Sequence, residues 1–414
     1  MAKDHTITGL DIGSSMTRVV VGQGTNQDGV MQIIGAAEHP TDGVSKGSIT
    51  SIEDAVSAVS QALEMAERMT GIPVSHAYVS INGTHIVSQE SHGVIAVAKA
   101  DGEVKEDDVE RVVEAAQAIA TPPNYEILHV IPRSFTVDNQ RGIKDPVGMT
   151  GIRLEVDAEI VQGLSSQVKN LTKVVYRTSV DIDDLVVAVL AAAESCVTKR
   201  QRDVGVAVVS IGATTTGVTV FEEGDVIHTK VLPVGGSHVT NDIAIGLRTS
   251  IDIAERMKIE HGSALPDEIG KRDEVNLSTL GGEDAVVNKR QVAEIIEARM
   301  EEIFHLVDKE LQAVDRSGML PAGIVVTGGG AKLHGVVDVA RRIFRLPASI
   351  GVPQGLVTAI DRVNDPAFTT AVGLVQWSST GAAGRGGSGF SLGRFSSVGD
   401  TVTKMRGWFK SFIS

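Results

Sequence analysis

The chain has 414 residues, 42% hydrophobic and 22% charged, with 44 glycines, 12 prolines and one cysteine. At roughly 150 residues per domain that makes about two to four domains, enough for a large buried core. Aromatics are only 3%, and 38 basic against 52 acidic residues give a formal charge of −14. The first figure argues against a base- or sugar-stacking platform, and the second repels phosphate backbones, so no nucleic-acid partner is expected.

Cys196 stands alone, which excludes an intrachain disulfide and a Cys/His zinc cluster. The opening MAKDHTITGLDIG has no basic region followed by an apolar core, so no signal peptide is predicted. The longest apolar-looking uncharged stretch, residues 204–221, is broken by Gly212 and three consecutive threonines and cannot span a membrane. A soluble cytoplasmic body is the expectation.

In chain order, short Val/Ile-rich runs alternate with longer amphipathic segments, the pattern of an α/β protein. Residues 6–12 and 18–22 read as strands around a Gly/Ser loop. Residues 52–69 place Ile52, Val56, Val59, Leu63 and Ala66 on one helical face, with Ser51 and Asp54 as an N-terminal cap. Residues 107–119 and 292–314 pass the same test for helix. Between them, residues 127–161 carry dense Pro, Gly and β-branched residues and read as strands and loops.

An internal repeat organises the chain. DIGSSMTRVVV from Asp11 lies over SIGATTTGVTV from Ser210, matching Ile12 with Ile211, Gly13 with Gly212 and Thr17 with Thr216. Both copies read strand, glycine-hydroxyl turn, strand, and one period of this length points to two related domains facing each other. Such a turn suits phosphate: glycine admits the main chain, and N–H groups with the Ser14, Ser15, Thr214 and Thr215 hydroxyls can surround its oxygens. Taken singly, each is equally well a tight turn. Asp11, at the end of the first strand, would hold magnesium through water. A third cluster, IVVTGGGA from Ile324, precedes a helix expected near Lys332, where a base and sugar can lie against the backbone.

Phosphate loop, second phosphate loop and adenosine loop in this order resemble the actin, heat-shock-70 and sugar-kinase superfamily. Within it the chain is similar to the FtsA family of bacterial cell-division actin homologues. LHVIPRSFTVDNQRGIKDPVGMTGIRLE from Leu128 looks like that family's extra subdomain, and LPVGG from Leu232, NDIA from Asn241 and AERMK from Ala254 also match. The resemblance implies actin-like duplicated domains around a nucleotide cleft, an inserted subdomain and a C-terminal amphipathic helix. It divides the chain into 1–83 with 164–196, the insert 84–163, 197–240 with 317–377, 241–316, a linker 378–395 and a tail 396–414.

The resemblance also implies a site for ATP and Mg2+. Asp11, Gly13, Ser14 and Ser15 would form the first loop, and Ser210, Gly212, Ala213, Thr214 and Thr215 the second. Glu255 and Lys258 would contact ribose and base, although at this spacing they also read as an ordinary i,i+3 ion pair. Gly328, Gly329 and Gly330 would complete the adenosine site. Two departures point to an ATPase that is slow at most. Ser210 stands where the family's second loop is acidic, and Ala188 where strong ATPases orient water with Glu or Gln.

The last residues change character. Residues 378–394 hold six glycines and read as a flexible linker. After them Val398, Val402, Met405, Phe409, Phe412 and Ile413 fall within an arc of about 100° of a helix, bordered by Trp408. Net charge there is +2, which suits a helix lying in an anionic membrane interface; docking to protein is the other reading. Together these features imply a peripheral protein on the cytoplasmic face of the inner membrane at the division site. Its expected partners are its own copies in filaments, the FtsZ C-terminal peptide and further division proteins. The peptide would meet Lys289, Arg290 and Arg299 in the 241–316 region. The alternatives are a small-molecule kinase or a pilus-assembly relative of the same superfamily.

Overall fold

The computed structural model describes residues 6–24, 31–98, 102–118 and 122–383. Strands β1 (Thr6–Ile12), β2 (Met16–Gly24) and β3 (Met31–Pro40) form an antiparallel meander. A two-residue turn joins β4 (Val44–Ser45) to β5 (Ser48–Ile49). Helix α1 (Ile52–Thr70) starts where expected, with the Asp54 N–H donating to Ser51 Oγ at 3.4 Å, and ends at Gly71 in the left-handed region. Its predicted stripe does face the core, with Val59 and Leu63 buried. Strand β6 (His76–Ile81) then pairs parallel with β1.

The chain leaves this sheet to build a small separate layer. Strand β7 (Val87–Ala96), helix α2 (Glu106–Gln117), β8 (Tyr125–Val137), β9 (Gln140–Ile143) and β10 (Arg153–Leu164) form a sheet ordered β7-β10-β8-β9 with α2 on one face. Val109, Val112, Val113, Phe135 and Leu154 make its own core. Returning, α3 (Ser165–Arg177) and β11 (Asp181–Val187) complete the first half, and β11 pairs parallel with β6.

Helix α4 (Ala188–Cys196) and α5 (Lys199–Val204) lead into the second half. There β12 (Val206–Ile211), β13 (Thr216–Glu222) and β14 (Asp225–Leu232) repeat the opening meander. Helices α6 (Gly236–Leu247) and α7 (Ile251–His261), strands β15 (Glu274–Asn276) and β16 (Val286–Asn288) and helix α8 (Lys289–Ala313) make one lobe. Ile296, Met300, Ile303, Phe304, Val307 and Leu311 are the buried stripe of α8. Strand β17 (Ile324–Thr327), helix α9 (Val336–Phe344), β18 (Ala348–Ile350) and β19 (Leu356–Thr358) follow, and α10 (Thr369–Ala383) ends the described chain.

The two main sheets run β11-β6-β1-β2-β3-β19 and β14-β13-β12-β17-β18. Each places an antiparallel meander beside parallel strands, so the sequence repeat is a structural duplication. Two local readings are corrected. The helix after the third glycine cluster starts at Val336, because Gly329–Lys332 forms a 3-10 turn and Gly335 has φ 79°. Helix α10 continues through Ala383, into the segment read as linker, since Trp377 and Ser378 are buried and anchor it.

Helices α4 and α10 cross between the halves at very short range. A Cβ on Gly373 would lie 1.7 Å from the Ala191 carbonyl oxygen, and one on Gly9 2.3 Å from that of Ala371. Nearby, His129 of the insert packs on Trp377 with ring centres 5.4 Å apart. Its Nε2 accepts the Val187 N–H at 3.0 Å, and burial pulls the imidazole down to about 4, so the ring stays neutral. Gly373→Ala should therefore destabilise the protein although alanine favours helix by about 1 kcal/mol. Overpacking of about 1–3 kcal/mol or more outweighs that gain; a urea midpoint equal to the parent's would refute the close crossing.

Candidate functional site

The duplicated turns are closed by the same bond. Gly13 N–H donates to the Met16 carbonyl at 3.2 Å, and Gly212 N–H to that of Thr215 at 2.8 Å. Duplication makes the two turns face each other. Thr214 Oγ1 donates to Ser14 Oγ at 2.8 Å, and Asn82 Nδ2, at the end of β6, donates to Thr215 Oγ1 at 3.0 Å. Of the hydroxyls predicted from sequence, Ser14 and Thr214 thus meet where the halves face each other, Thr215 is buried against Asn82, and Ser15 is exposed.

The first turn of α6 is fastened to the second loop. Gly236 N–H donates to the Gly212 carbonyl at 2.9 Å, and Ser237 N–H to that of Ala213 at 2.7 Å. A Cβ on Gly235 would sit 2.5 Å from the Gly212 carbonyl oxygen, so glycine permits the approach. Glu255 and Lys258 do form the i,i+3 ion pair, at 2.7 Å. They are more than a solvated pair, because Lys258 Nζ also donates to Thr240 Oγ1 at 2.9 Å and to the Gly236 carbonyl at 3.2 Å. Thr240 in turn hydrogen-bonds Glu255. The pair therefore stands beside the second loop.

The third cluster divides by role. Gly328 has φ 80°, and a Cβ there would be 2.6 Å from the Ile211 carbonyl oxygen. At Gly330 a Cβ would be 2.4 Å from Ile211 Cγ2. Close approach to the end of β12 demands both glycines. At Gly329 nothing lies within 4 Å of an added Cβ, so this exposed residue borders open space beside the second loop.

Asp11 Oδ1 accepts the Ser80 hydroxyl at 2.7 Å, and Ser80 Oγ accepts the Ile12 N–H at 3.2 Å. Burial pushes its carboxyl above the ordinary range, opposed by the Ser80 hydrogen bond and by Arg18. The Arg18 guanidinium is 3.3 Å from Glu38 and lies over the Phe368 ring. Among the described residues no group of three or more His, Cys, Asp or Glu could cage a metal. One carboxylate fits magnesium that takes its other ligands from phosphates and water. Ser210 is half-buried on β12, and Ala188, buried at the start of α4, offers no polar atom to a water.

Sequence reasoning missed Asn82, Thr240 and the turn residues Lys46 and Gly47. A Lys-Gly pair between two short runs is a hairpin signal that could have exposed the last two. The cations predicted for a partner are differently placed. Arg299 is held bidentately by Asp242, with Glu302 at 2.7 Å, and Arg290 pairs with Asp267 at 2.8 Å. Lys289 is half-buried at the start of α8 and forms no ion pair among the described residues. The tail residues Val402, Met405, Trp408, Phe409, Phe412 and Ile413 lie outside the described residues.

Comparison with known proteins decides the family. The profile described as Cell division protein FtsA matches residues 207–373, and that of the SHS2 domain inserted in FtsA matches residues 83–162. Cell division protein FtsA of Pseudomonas aeruginosa is 38% identical over 90% of this chain and 88% of its own length. That of Escherichia coli K12 is 34% identical over 98% of this chain and 97% of its own. The chain belongs to the FtsA family. It is an actin-like cell-division protein, and the separate β7–β10 layer is the family's inserted SHS2 domain.

Solved structures agree on the fold. The PilM–PilN type IV pilus biogenesis complex superposes with TM-score 0.64 at 15% identity, covering 89% of this chain and 97% of that one. MreB5 of Spiroplasma citri, bound to ADP, gives 0.50 at 14% identity over 89% and 94%. Among the described residues of this FtsA-family chain, no helix is long and apolar enough to cross a membrane.

Asp11 yields a pH prediction. A carboxyl whose folded pKa exceeds its unfolded one stabilises the fold less as pH rises past the unfolded value. Asp11→Asn keeps an oxygen for Ser80 and should melt above the parent at pH 7, the gap closing toward pH ~4. A variant that melts lower at pH 7 would mean that attraction to Arg18 outweighs burial.

Proposed function

We propose that this protein binds ATP with magnesium in the cleft, polymerises, and links FtsZ filaments to the inner membrane at the division site. The observation that carries the reading is the meeting of Ser14 and Thr214 from two duplicated loops, with Thr215 held by Asn82 next in the chain. The open space at Gly329 lies beside the second of those loops. Adenosine would lie against Gly328, Gly329 and Gly330 near Glu255 and Lys258. The phosphates would pass along Gly212, Ala213, Thr214 and Thr215 to Gly13, Ser14 and Ser15. When bound, magnesium neutralises phosphate charge, and Asp11 would hold it through water. Hydrolysis is slow in this reading, because Ala188 and Ser210 orient no attacking water.

A Cβ at Gly329 meets no protein atom within 4 Å, and a bulky side chain built on it would intrude on the base and sugar. Gly329→Trp should melt like the parent and lose binding of a fluorescent ATP analogue in an anisotropy titration. Binding as tight as the parent's would displace the adenosine site.

The lobe of α6, α7 and α8 is the proposed seat of the FtsZ peptide, which is acidic and apolar in relatives. Ile245, Ile251, Ile259 and Val286 are exposed on that lobe, and Lys289, at the start of α8, forms no ion pair among the described residues. Arg299 now reads as a strut between α6 and α8, so charge reversal there would disturb packing.

The tail is the proposed membrane anchor. Each large apolar side chain gains roughly 1.5–3 kcal/mol on burial, opposed by about 1–2 kcal/mol of ordering per residue. One tail therefore binds weakly, and a filament presenting many gains ~10²–10⁴ by avidity. Phe409→Glu should leave ATP binding intact and abolish flotation with anionic liposomes. Undiminished flotation would make the tail a protein-docking helix.

A further inference from the structure

The hairpin of β4 and β5 reaches the cleft from outside both repeated turns. Its two turn residues are left-handed, Lys46 at φ 49° and Gly47 at φ 74°. Consecutive N–H groups in a turn can form a concavity that receives an anion. Here they point at one spot. Lys46 N–H donates to Thr214 Oγ1 at 3.0 Å and Gly47 N–H to Ser14 Oγ at 3.3 Å, and those hydroxyls are 2.8 Å apart. Two N–H groups and two hydroxyls from three elements meet there, hydrogen-bonded to one another, with one hydroxyl from each duplicated loop.

The hairpin is held in place. Thr41 N–H donates to the Ser15 carbonyl at 2.9 Å, and the Thr17 and Thr41 hydroxyls are 2.8 Å apart, tying its approach to the first loop. A Cβ on Gly47 would stand 2.6 Å from the Gly83 backbone at the root of the insert. Charge singles out Lys46. Lys258 is paired with Glu255 and Arg18 with Glu38, whereas Lys46 is exposed and makes no ion pair among the described residues.

If adenosine lies at Gly329, the order of elements points this spot at the last phosphate. Gly329 borders the start of the second loop, Thr214 lies at that loop's far side, and Ser14 with the hairpin lies beyond it. We propose that the Lys46–Gly47 turn is a third phosphate-contacting element that takes the terminal phosphate of a nucleoside triphosphate. Its two N–H groups, which here donate to the Thr214 and Ser14 hydroxyls, exchange those partners for phosphate oxygens when the nucleotide binds, and the Lys46 ammonium balances the charge, so the turn separates triphosphate from diphosphate. This inference rests on the cleft being the nucleotide site.

Full-length protein titrated with ATP and with ADP in the presence of magnesium tests it. Lys46→Gly suits the left-handed backbone and keeps the N–H while deleting the ammonium. It should weaken ATP about tenfold, the worth of one charge-assisted contact, and leave ADP unchanged. Lys46→Glu should weaken ATP further. In 1H–15N spectra of the parent, the Gly47 amide should shift with ATP and much less with ADP. Variants that keep the parent's ATP-to-ADP ratio, or lose both nucleotides equally, overturn the proposal, as does a Gly47 amide blind to ATP. A parent that binds ADP tightly while these results fail leaves the nucleotide cleft standing; a parent that binds neither nucleotide sinks both.

Discussion

The arrangement of the two halves depends on the crossing of α4 over α10. Gly373 lets the Ala191 carbonyl approach to a distance that no side chain allows, and Gly9 does the same for α10 against β1. Gly217 completes the set, since a Cβ there would be 2.8 Å from Val189 Cβ. Alanine-rich α4, with Ala191, Ala192 and Ala193 fully buried, is the matching surface. Small residues on both sides bring the helices together as stiff, close-packed bodies. The cleft loops are then placed against each other with this contact as their support.

Duplication made much of this legible. A strand-turn-strand unit carries near-continuous apolar, largely buried runs with a glycine and hydroxyls between them, so the two copies align over a dozen residues. The helices were readable for a similar reason: α1 and α8 each keep one apolar stripe over many turns. What stayed hidden was long-range. Lys46 and Thr214 are 168 residues apart, and nothing local to either announces the contact. Asn82 looks like an ordinary turn residue in sequence, and its amide acquires meaning only when β6 ends opposite Thr215.

The glycines teach a related lesson. In sequence, Gly328, Gly329 and Gly330 are one motif. In the structure, two of them exist because Ile211 leaves no room for a Cβ, and the third faces space. Arg299 and Lys289 make the same point for charge. Both are cations of one helix, yet Asp242 has claimed Arg299 by a bidentate pair, and such geometry binds a guanidinium far better than a loose surface pair does. Residue type proposes a function, and the partners already present decide whether the side chain is free to perform it.

The inserted domain belongs to this mechanics. It is rooted at Asn82 and Gly83, beside the cleft, and His129 seats it on the hinge helices through Trp377. It also reaches the second half directly: Ser88 Oγ donates to the Thr229 carbonyl at 2.9 Å, and Lys144 pairs with Asp225. Burial raises the Asp225 carboxyl in spite of Lys144, and Glu159 beside Ser88 is raised by burial as well. Carboxylates held at such a cost do not make a strong adhesive. Helices α4 and α10 hold the halves together more firmly, by close approach of small residues at their crossing and by the Ser195 hydroxyl, which donates to the Thr369 carbonyl at 2.8 Å. The second half thus touches the insert through Thr229 and Ser88 and the first loop through Thr214 and Ser14, so one body meets both.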